Sequence, residues 1–231
     1  MKIEKRFSQG FTILASYTIS KLIDAAVGPG GALRTNGPPE TGIVNWYNLS
    51  AERSKSIYDI PQRVIFTGLW EMPFFKRAPH AWQRQIFGGW NANGILTLQS
   101  GQTIALQSGS ASQRPNTVPG VNDMAASQTL TQWFNTAAFA PPAPFTYGNA
   151  SRTIPNVMSD GMFDLDFSLY KTFLITERFK FTLKGEAYNL TNTPTFDVPG
   201  RDVTSQTFGV VSATALNPRP RAVQLSMRLT F

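Results

Sequence analysis

The sequence predicts an all-β, antiparallel chain built from about six long strands. Three observations carry that expectation: apolar residues recur at every second position in six separate segments, each segment runs to about ten residues, and the connectors between them alternate between long and short. The first segment is Phe11 to Ser20, where Phe11, Ile13, Ala15, Tyr17 and Ile19 share one parity and the other parity is mostly Thr and Ser. Successive side chains of a strand point to opposite faces, so this segment is a strand with one apolar face.

The remaining segments follow in order. From Arg63 to Met72, Val64, Phe66, Gly68, Trp70 and Met72 oppose Arg63, Ile65, Thr67, Leu69 and Glu71, a weaker alternation. From Trp90 to Gln99, Trp90, Ala92, Gly94, Leu96 and Leu98 oppose Asn91, Asn93, Ile95, Thr97 and Gln99. In the fourth, Leu165, Phe167, Leu169 and Phe173 oppose Asp164, Asp166, Ser168, Tyr170 and Thr172. Lys171 interrupts its apolar side, an interruption that a strand-end position accommodates by snorkelling. The fifth sets Phe179, Phe181, Leu183, Gly185 and Ala187 against Lys180, Thr182, Lys184, Glu186 and Tyr188. The sixth is the cleanest, with Val223, Leu225, Met227, Leu229 and Phe231 against Gln224, Ser226, Arg228 and Thr230.

Composition narrows the function. Of 231 residues, 42% are hydrophobic and 15% charged, against roughly 25% charged in soluble proteins. With no Cys, a disulfide framework, a Cys-ligated zinc site, an iron–sulfur cluster and a cysteine nucleophile are excluded. His80 is the one histidine, in Pro79-His80-Ala81-Trp82, with neither a nucleophile elbow nor an orienting carboxylate pattern nearby, and reads as a loop or interface residue. The charge of +7 comes from Lys and Arg that form no basic run, so no nucleic-acid partner is expected. Asp164 and Asp166 share a strand face and could seat a metal or an acid/base pair, but the alternation already demands polar residues there. No catalytic residue, metal ligand or cofactor is therefore assigned, and no enzyme is expected. The ligand-binding residues stay unassigned.

Two export-like features fail on inspection. The leading Met1-Lys2-Ile3-Glu4-Lys5-Arg6 imitates the basic start of a signal peptide, but Phe11 to Ser20 interleaves Thr and Ser where an unbroken apolar run is required. No run of 18 apolar residues exists for a helical membrane span.

The strands themselves have bilayer length. About ten residues exceeds the usual five or six of a soluble strand and matches the 9–11 of a tilted transmembrane strand. Aromatics gather near the segment ends, at Phe7 and Phe11, Trp70 with Phe74 and Phe75, Phe87 and Trp90, Phe173 and Phe179, and Phe231, as in the girdles of a membrane barrel. The long connectors are about 21–61, 101–163 and 191–221, and the short ones about 73–89 and 174–178. Bacterial barrels keep short turns in the periplasm and long loops outside, so the last strand ends at Phe231 on the periplasmic side. The apolar stretch Thr207 to Ser212 then belongs to the third outer loop, because counting it as a span would reverse that ending. Gly28-Pro29-Gly30-Gly31, Gly37-Pro38-Pro39 and Pro141-Pro142-Ala143-Pro144 read as loops, and Trp133-Phe134-Asn135 as the start of a small packed turn. The glycine-rich piece lacks the Gly-Lys-Ser/Thr of a phosphate loop. Triplets of glycosylation type at Asn48, Asn149 and Asn189 carry no weight.

Single-chain bacterial barrels begin at eight strands, and an open six-stranded sheet would leave two unpaired edges in lipid. The fold expected is thus the C-terminal arc of a larger transmembrane β-barrel with three long extracellular loops, spanning residues 1–231, its other strands encoded upstream in a longer reading frame or, as the alternative, supplied by another polypeptide.

The sequence resembles the C-terminal part of TonB-dependent outer-membrane receptors, in particular the Oar-like, carboxypeptidase-regulatory-domain-containing branch. The resemblance rests on Ala15-Ser16-Tyr17-Thr18-Ile19-Ser20-Lys21-Leu22-Ile23-Asp24, on Gly88-Gly89-Trp90 with Leu98-Gln99-Ser100-Gly101-Gln102, and on Trp133-Phe134-Asn135-Thr136-Ala137-Ala138-Phe139. It continues through Asp166-Phe167-Ser168-Leu169-Tyr170-Lys171, Glu186-Ala187-Tyr188-Asn189-Leu190-Thr191-Asn192 and Pro218-Arg219-Pro220-Arg221-Ala222-Val223-Gln224-Leu225 to the terminal Phe231.

The resemblance implies a barrel of roughly 22 strands closed by an N-terminal plug, located in the bacterial outer membrane and energised through TonB. Its expected partners are outer-membrane lipid, the remaining strands and plug, and TonB through N-terminal parts outside this chain. Its substrate class would be a siderophore, cobalamin or glycan. Val223, Leu225, Met227, Leu229 and Phe231 resemble the C-terminal signal read by the barrel-assembly machinery. Inward charges such as Arg63, Glu71, Lys180, Lys184, Glu186 and Arg228 would line the lumen or pair within the wall. The alternative functions are an Oar-like adhesion or structural surface protein without active transport and, less in keeping with strand length, a soluble β-sandwich.

Overall fold

The computed structural model describes residues 1–7, 10–25, 43–110, 112–215 and 220–231. The loops expected at Gly28-Pro29-Gly30-Gly31 and Gly37-Pro38-Pro39, and Pro218-Arg219, lie outside the described residues. Seven strands, β1 (Lys2–Phe7), β2 (Phe11–Ile19), β3 (Gln62–Glu71), β4 (Trp90–Gln99), β5 (Met162–Leu174), β6 (Lys180–Tyr188) and β7 (Ala222–Thr230), form one antiparallel sheet. They lie side by side in chain order, so every pairing is with a chain neighbour.

All six alternating segments are strands. The seventh, β1, is the basic leading segment, which doubles back through Gly10 at φ +73° and pairs Ile3 with Ala15 and Lys5 with Ile13. A left-handed φ at a tight turn favours glycine.

Residues directly opposite in an antiparallel pair project from the same face. Ile3 pairs with Ala15, Ala15 with Phe66, Phe66 with Leu96, and Leu96 with Leu165. Farther along, Leu169 pairs with Gly185 and Gly185 with Leu225. The apolar parity of each strand thus registers onto one face across the whole sheet. A slip of one residue at any junction would have sent the next strand's apolar set to the other side. The opposite face carries Ser16, Ile65, Thr97 and Asp164 in one row, and Ser168, Glu186 and Gln224 in another.

The apolar face has no protein layer over most of its area. Phe66, Phe167, Val223, Leu225 and Met227 are exposed, and among the described residues Ala92 is the one apolar side chain of this face that is buried. At Gly185 an added Cβ would sit 3.4 Å from Leu225 Cδ2, so Leu225 packs over that backbone. At Gly94 the nearest atom is the Asp166 carbonyl at 3.9 Å, and no side chain fills the gap.

Lys171 departs from the sequence reading. Its side chain does not run out to water but is 3% exposed. Its ammonium donates to the carbonyl oxygens of Ile86 (3.2 Å) and Gly88, at the C-terminal end of α1 (Ala81–Phe87). It also lies 4.8 Å from the Phe173 ring centroid and 5.9 Å from that of Trp90. The last carbonyls of a helix lack intrahelical donors and carry partial negative charge. The lysine therefore fastens the β3–β4 connector down over the apolar face. Replacing it by Met keeps the stem and removes the charge-assisted bonds, each worth about 1.5–3 kcal/mol. We expect Lys171→Met to raise hydrogen exchange in residues 81–89 while the β5 amides keep their protection; equal protection of the connector in both proteins would contradict this role.

Candidate functional site

At one end of the sheet the strands are joined by the turn at Gly10, the β3–β4 connector and the β5–β6 turn. At the other end, the three long connectors fold into a cap with its own core. Ile104, Leu106, Phe134, Ala138, Phe139, Ile154 and Val157 are buried together, with Trp133, Val198, Val203 and Phe208 packed against them. The rings of Phe134, Phe139 and Phe208 meet edge to face at centroid distances of 5.1–6.2 Å, the favoured aromatic geometry. Trp133 donates its indole N–H to the Met158 carbonyl at 2.7 Å. Asn135 accepts from Ala137 N–H and starts a 3-10 turn over Thr136–Ala138, the packed turn that Trp133-Phe134-Asn135 predicts. Thr207 to Ser212 also lies in this cap, with Gly209 O accepting from Trp133 N–H at 2.8 Å; it forms no span.

Two buried arginines from the second loop hold the first. Arg114 pairs with Glu52, both side chains almost fully buried. Arg152 pairs with Asp24 and donates to the backbone oxygens of Glu52 (3.1 Å) and Asp24 (3.3 Å). Burial lowers the pKa of Arg152 from its ordinary value. Asp59 accepts from Leu22 N–H at 2.7 Å, and the Thr103 hydroxyl donates to Ser56 O at 2.6 Å. Most of these buried polar groups meet a partner from a distant stretch of chain, which offsets the cost of burial, while Asp59 Oδ2 and Arg114 Nε are buried without a hydrogen bond among the described residues.

The second and third loops meet at Asp202. Burial alone would push its carboxyl up, yet hydrogen bonds from Gly109 N–H, the Thr204 hydroxyl and N–H, and the Gln107 side-chain amide bring it down to about 2. A depressed folded-state pKa contributes stability above the unfolded value, about 3.9 for Asp. That contribution is lost as pH falls through the folded value. Between pH 4 and 2 the wild-type contact should therefore weaken, and Asp202→Asn should remove that share of the acid sensitivity. Trp133 fluorescence followed in both proteins checks it; identical acid profiles would contradict the assignment.

On the polar face of the sheet, an ion pair forms within the wall. Lys184 Nζ lies 2.7 Å from Glu186 Oε1, and Tyr188 Oη donates to the same oxygen at 3.3 Å. Across β5 and β6, the Thr172 and Thr182 hydroxyls are 3.0 Å apart. Glu71 stands 4.0 Å from Lys76 with both ends in solvent. Asp166, one of the two carboxylates considered as a metal or acid/base pair, accepts from Asn189 N–H at 2.9 Å and shapes the exit of β6. The Asn189 side chain itself bonds Thr193 N–H (3.1 Å) and O (3.2 Å) and is buried. Among the described residues no three Asp, Glu or His side chains converge as a metal site would need. His80 is exposed just before α1 and makes no side-chain cap.

Val223, Leu225, Met227, Leu229 and Phe231 all project from the apolar face of edge strand β7 or its end, and all are exposed. The Phe231 ring lies 6.5 Å from that of Phe179. The cap arginines and their carboxylates carried no sequence signal: they are single residues about 60–130 positions from their partners.

A continuous uncovered apolar face, strands of bilayer length and an aromatic rim at the short-turn end define a membrane β-barrel wall. The family model described as outer membrane beta barrel domain matches residues 1–224, and the chain belongs to that family and to the bacterial outer membrane. No curated protein and no solved structure matches it significantly. With short turns in the periplasm, the cap is extracellular.

Proposed function

We propose that this chain forms wall and extracellular loops of a TonB-dependent receptor that takes up a substrate rather than transforming it. The observation that carries the reading is the cap. Its three long loops are locked together by buried ion pairs and an aromatic core, a preformed surface at the mouth of a polar-faced wall. Pre-organised loops of this kind suit ligand capture from outside, because ordering costs are met before binding. The motif order shared with the Oar-like branch supports the same reading. β1 and β7 each pair on one side only, and an open edge is not tolerated in hydrocarbon. Further strands therefore complete the wall, and the resemblance to TonB-dependent receptors implies a plug in its lumen.

The test is genetic. Cells lacking the gene, cells lacking TonB and wild-type cells are compared for uptake of labelled siderophore, cobalamin and oligosaccharide. Loss of uptake of one ligand in both mutants is expected. A gene deletion that leaves all uptake intact but abolishes surface attachment would overturn transport in favour of adhesion, the second reading. Tyr47 and Phe145, on the first and second outer loops and fully exposed, are the feature that favours adhesion.

A further inference from the structure

We infer that the β3–β4 connector is an interfacial anchor that binds acidic phospholipid of the periplasmic leaflet. Its position comes first. Lys171 lies on the apolar face, and its bonds to Ile86 O and Gly88 O bring α1 onto the lipid-facing side of the rim, not the lumen. The connector also presents an apolar surface that the protein leaves uncovered. Phe74, Phe75, Trp82, Ile86 and Phe87 are each about half exposed. They are organised nonetheless: Trp70 meets Phe74 at 5.5 Å, Phe75 meets Phe87 at 5.5 Å, and Trp82 meets Phe87 at 6.2 Å. Phe75 holds a left-handed backbone, φ +57°, an uncommon conformation for a bulky residue.

Charge selects the occupant. Residues 72–89 contain Lys76, Arg77, His80 and Arg84 and no Asp or Glu. Arg84 is committed to the Ala78 and Pro79 carbonyls (2.7 and 3.4 Å). Lys76 touches only the exposed Glu71 at 4.0 Å, a pair of little strength in water. Phe75, Lys76, Arg77, Pro79 and Gln83 line an open cleft of about 630 Å³. Aromatic side chains at the depth of the headgroups with cations beside them are the arrangement that holds an amphipathic segment in an anionic interface. The surface is continuous with the wall's lipid-facing band, so its occupant is the same bilayer, with phosphate-bearing anionic headgroups against Lys76 and Arg77. This inference rests on membership of the outer-membrane family and holds whether or not the wall belongs to a transporter.

The test uses the completed wall, this chain together with the strands that close it, in phosphatidylcholine vesicles containing a minor fraction of phosphatidylglycerol, with bromine quencher on one lipid or the other at equal label density. The Trp82 contribution is isolated by difference against Trp82→Phe; Trp70 and Trp90, in the wall, report insertion under both labels. Labelled phosphatidylglycerol should quench Trp82 about threefold or more strongly than labelled phosphatidylcholine, since each cation near an anionic surface gains attraction. In Lys76→Gln/Arg77→Gln that ratio should fall to about one while Trp70 and Trp90 quenching is unchanged. Equal quenching of Trp82 by both labels, a preference that survives the double substitution, or no quenching of Trp82 beside quenched Trp70 and Trp90 would each overturn the inference.

Discussion

Arg152→Ala is expected to unlock the extracellular cap and leave the wall standing. The side chain is 1% exposed and joins three groups of the first loop, the Asp24 carboxylate and the backbone oxygens of Asp24 and Glu52. Truncating one member of a buried pair strands the other, at a cost of about 3–5 kcal/mol. Asp24 keeps some contact with water, which places the expected loss near the lower bound. Arg152→Lys retains the charge but not the planar fork that reaches several acceptors at once, and should lose part of that amount. Hydrogen exchange resolves the outcome: amides of 49–59 and 103–107 should exchange faster in the alanine variant, with β3 and β4 unchanged. Wild-type protection of the cap in Arg152→Ala would refute its role as a clamp.

The second large effect is expected on the apolar face. Phe167 sits in the middle of β5 with Gly94 opposite on one side and Ala187 on the other, and its ring is exposed. Against hydrocarbon, Phe167→Arg should cost about 2–4 kcal/mol, the penalty for a cation on the lipid face near the midplane. Asn93→Arg is the matched control, because Asn93 lies on the polar face directly opposite Ser168, one residue along from the Phe167 pair and so at the same depth. It should cost little. Denaturant titration of both variants in the same lipid vesicles gives the comparison, and equal costs would mean the two faces do not meet different solvents.

The wall was legible because a strand records its surroundings locally. Alternation along ten residues located β2 to β7, and the register then aligned six independently read parities without conflict. β1 escaped because its six residues carry Lys2, Glu4, Lys5 and Arg6, and Lys5 falls on the apolar parity. A charge on that parity breaks the alternation by which the other six strands are read. α1 escaped for want of length, though Trp82 and Ile86 four residues apart and Gly88 after the last turn were its traces. The cap was the least legible part. Its core follows no period, and its ion pairs join residues that have nothing in common until the chain is folded. Only Trp133-Phe134-Asn135, a dense local cluster, pointed to it.

The side-by-side order of the strands also sets the sequence of folding events. Each strand finds its partner through the adjacent connector, so the wall can zip from any hairpin, and closing even a long loop costs only slowly more with length. The ties between Arg152 and Glu52 span 100 residues and wait until the strand ends have been drawn together. Cap residues should consequently show φ-values near zero, their loss speeding unfolding and scarcely slowing folding. The mouth of this molecule is the last thing it builds.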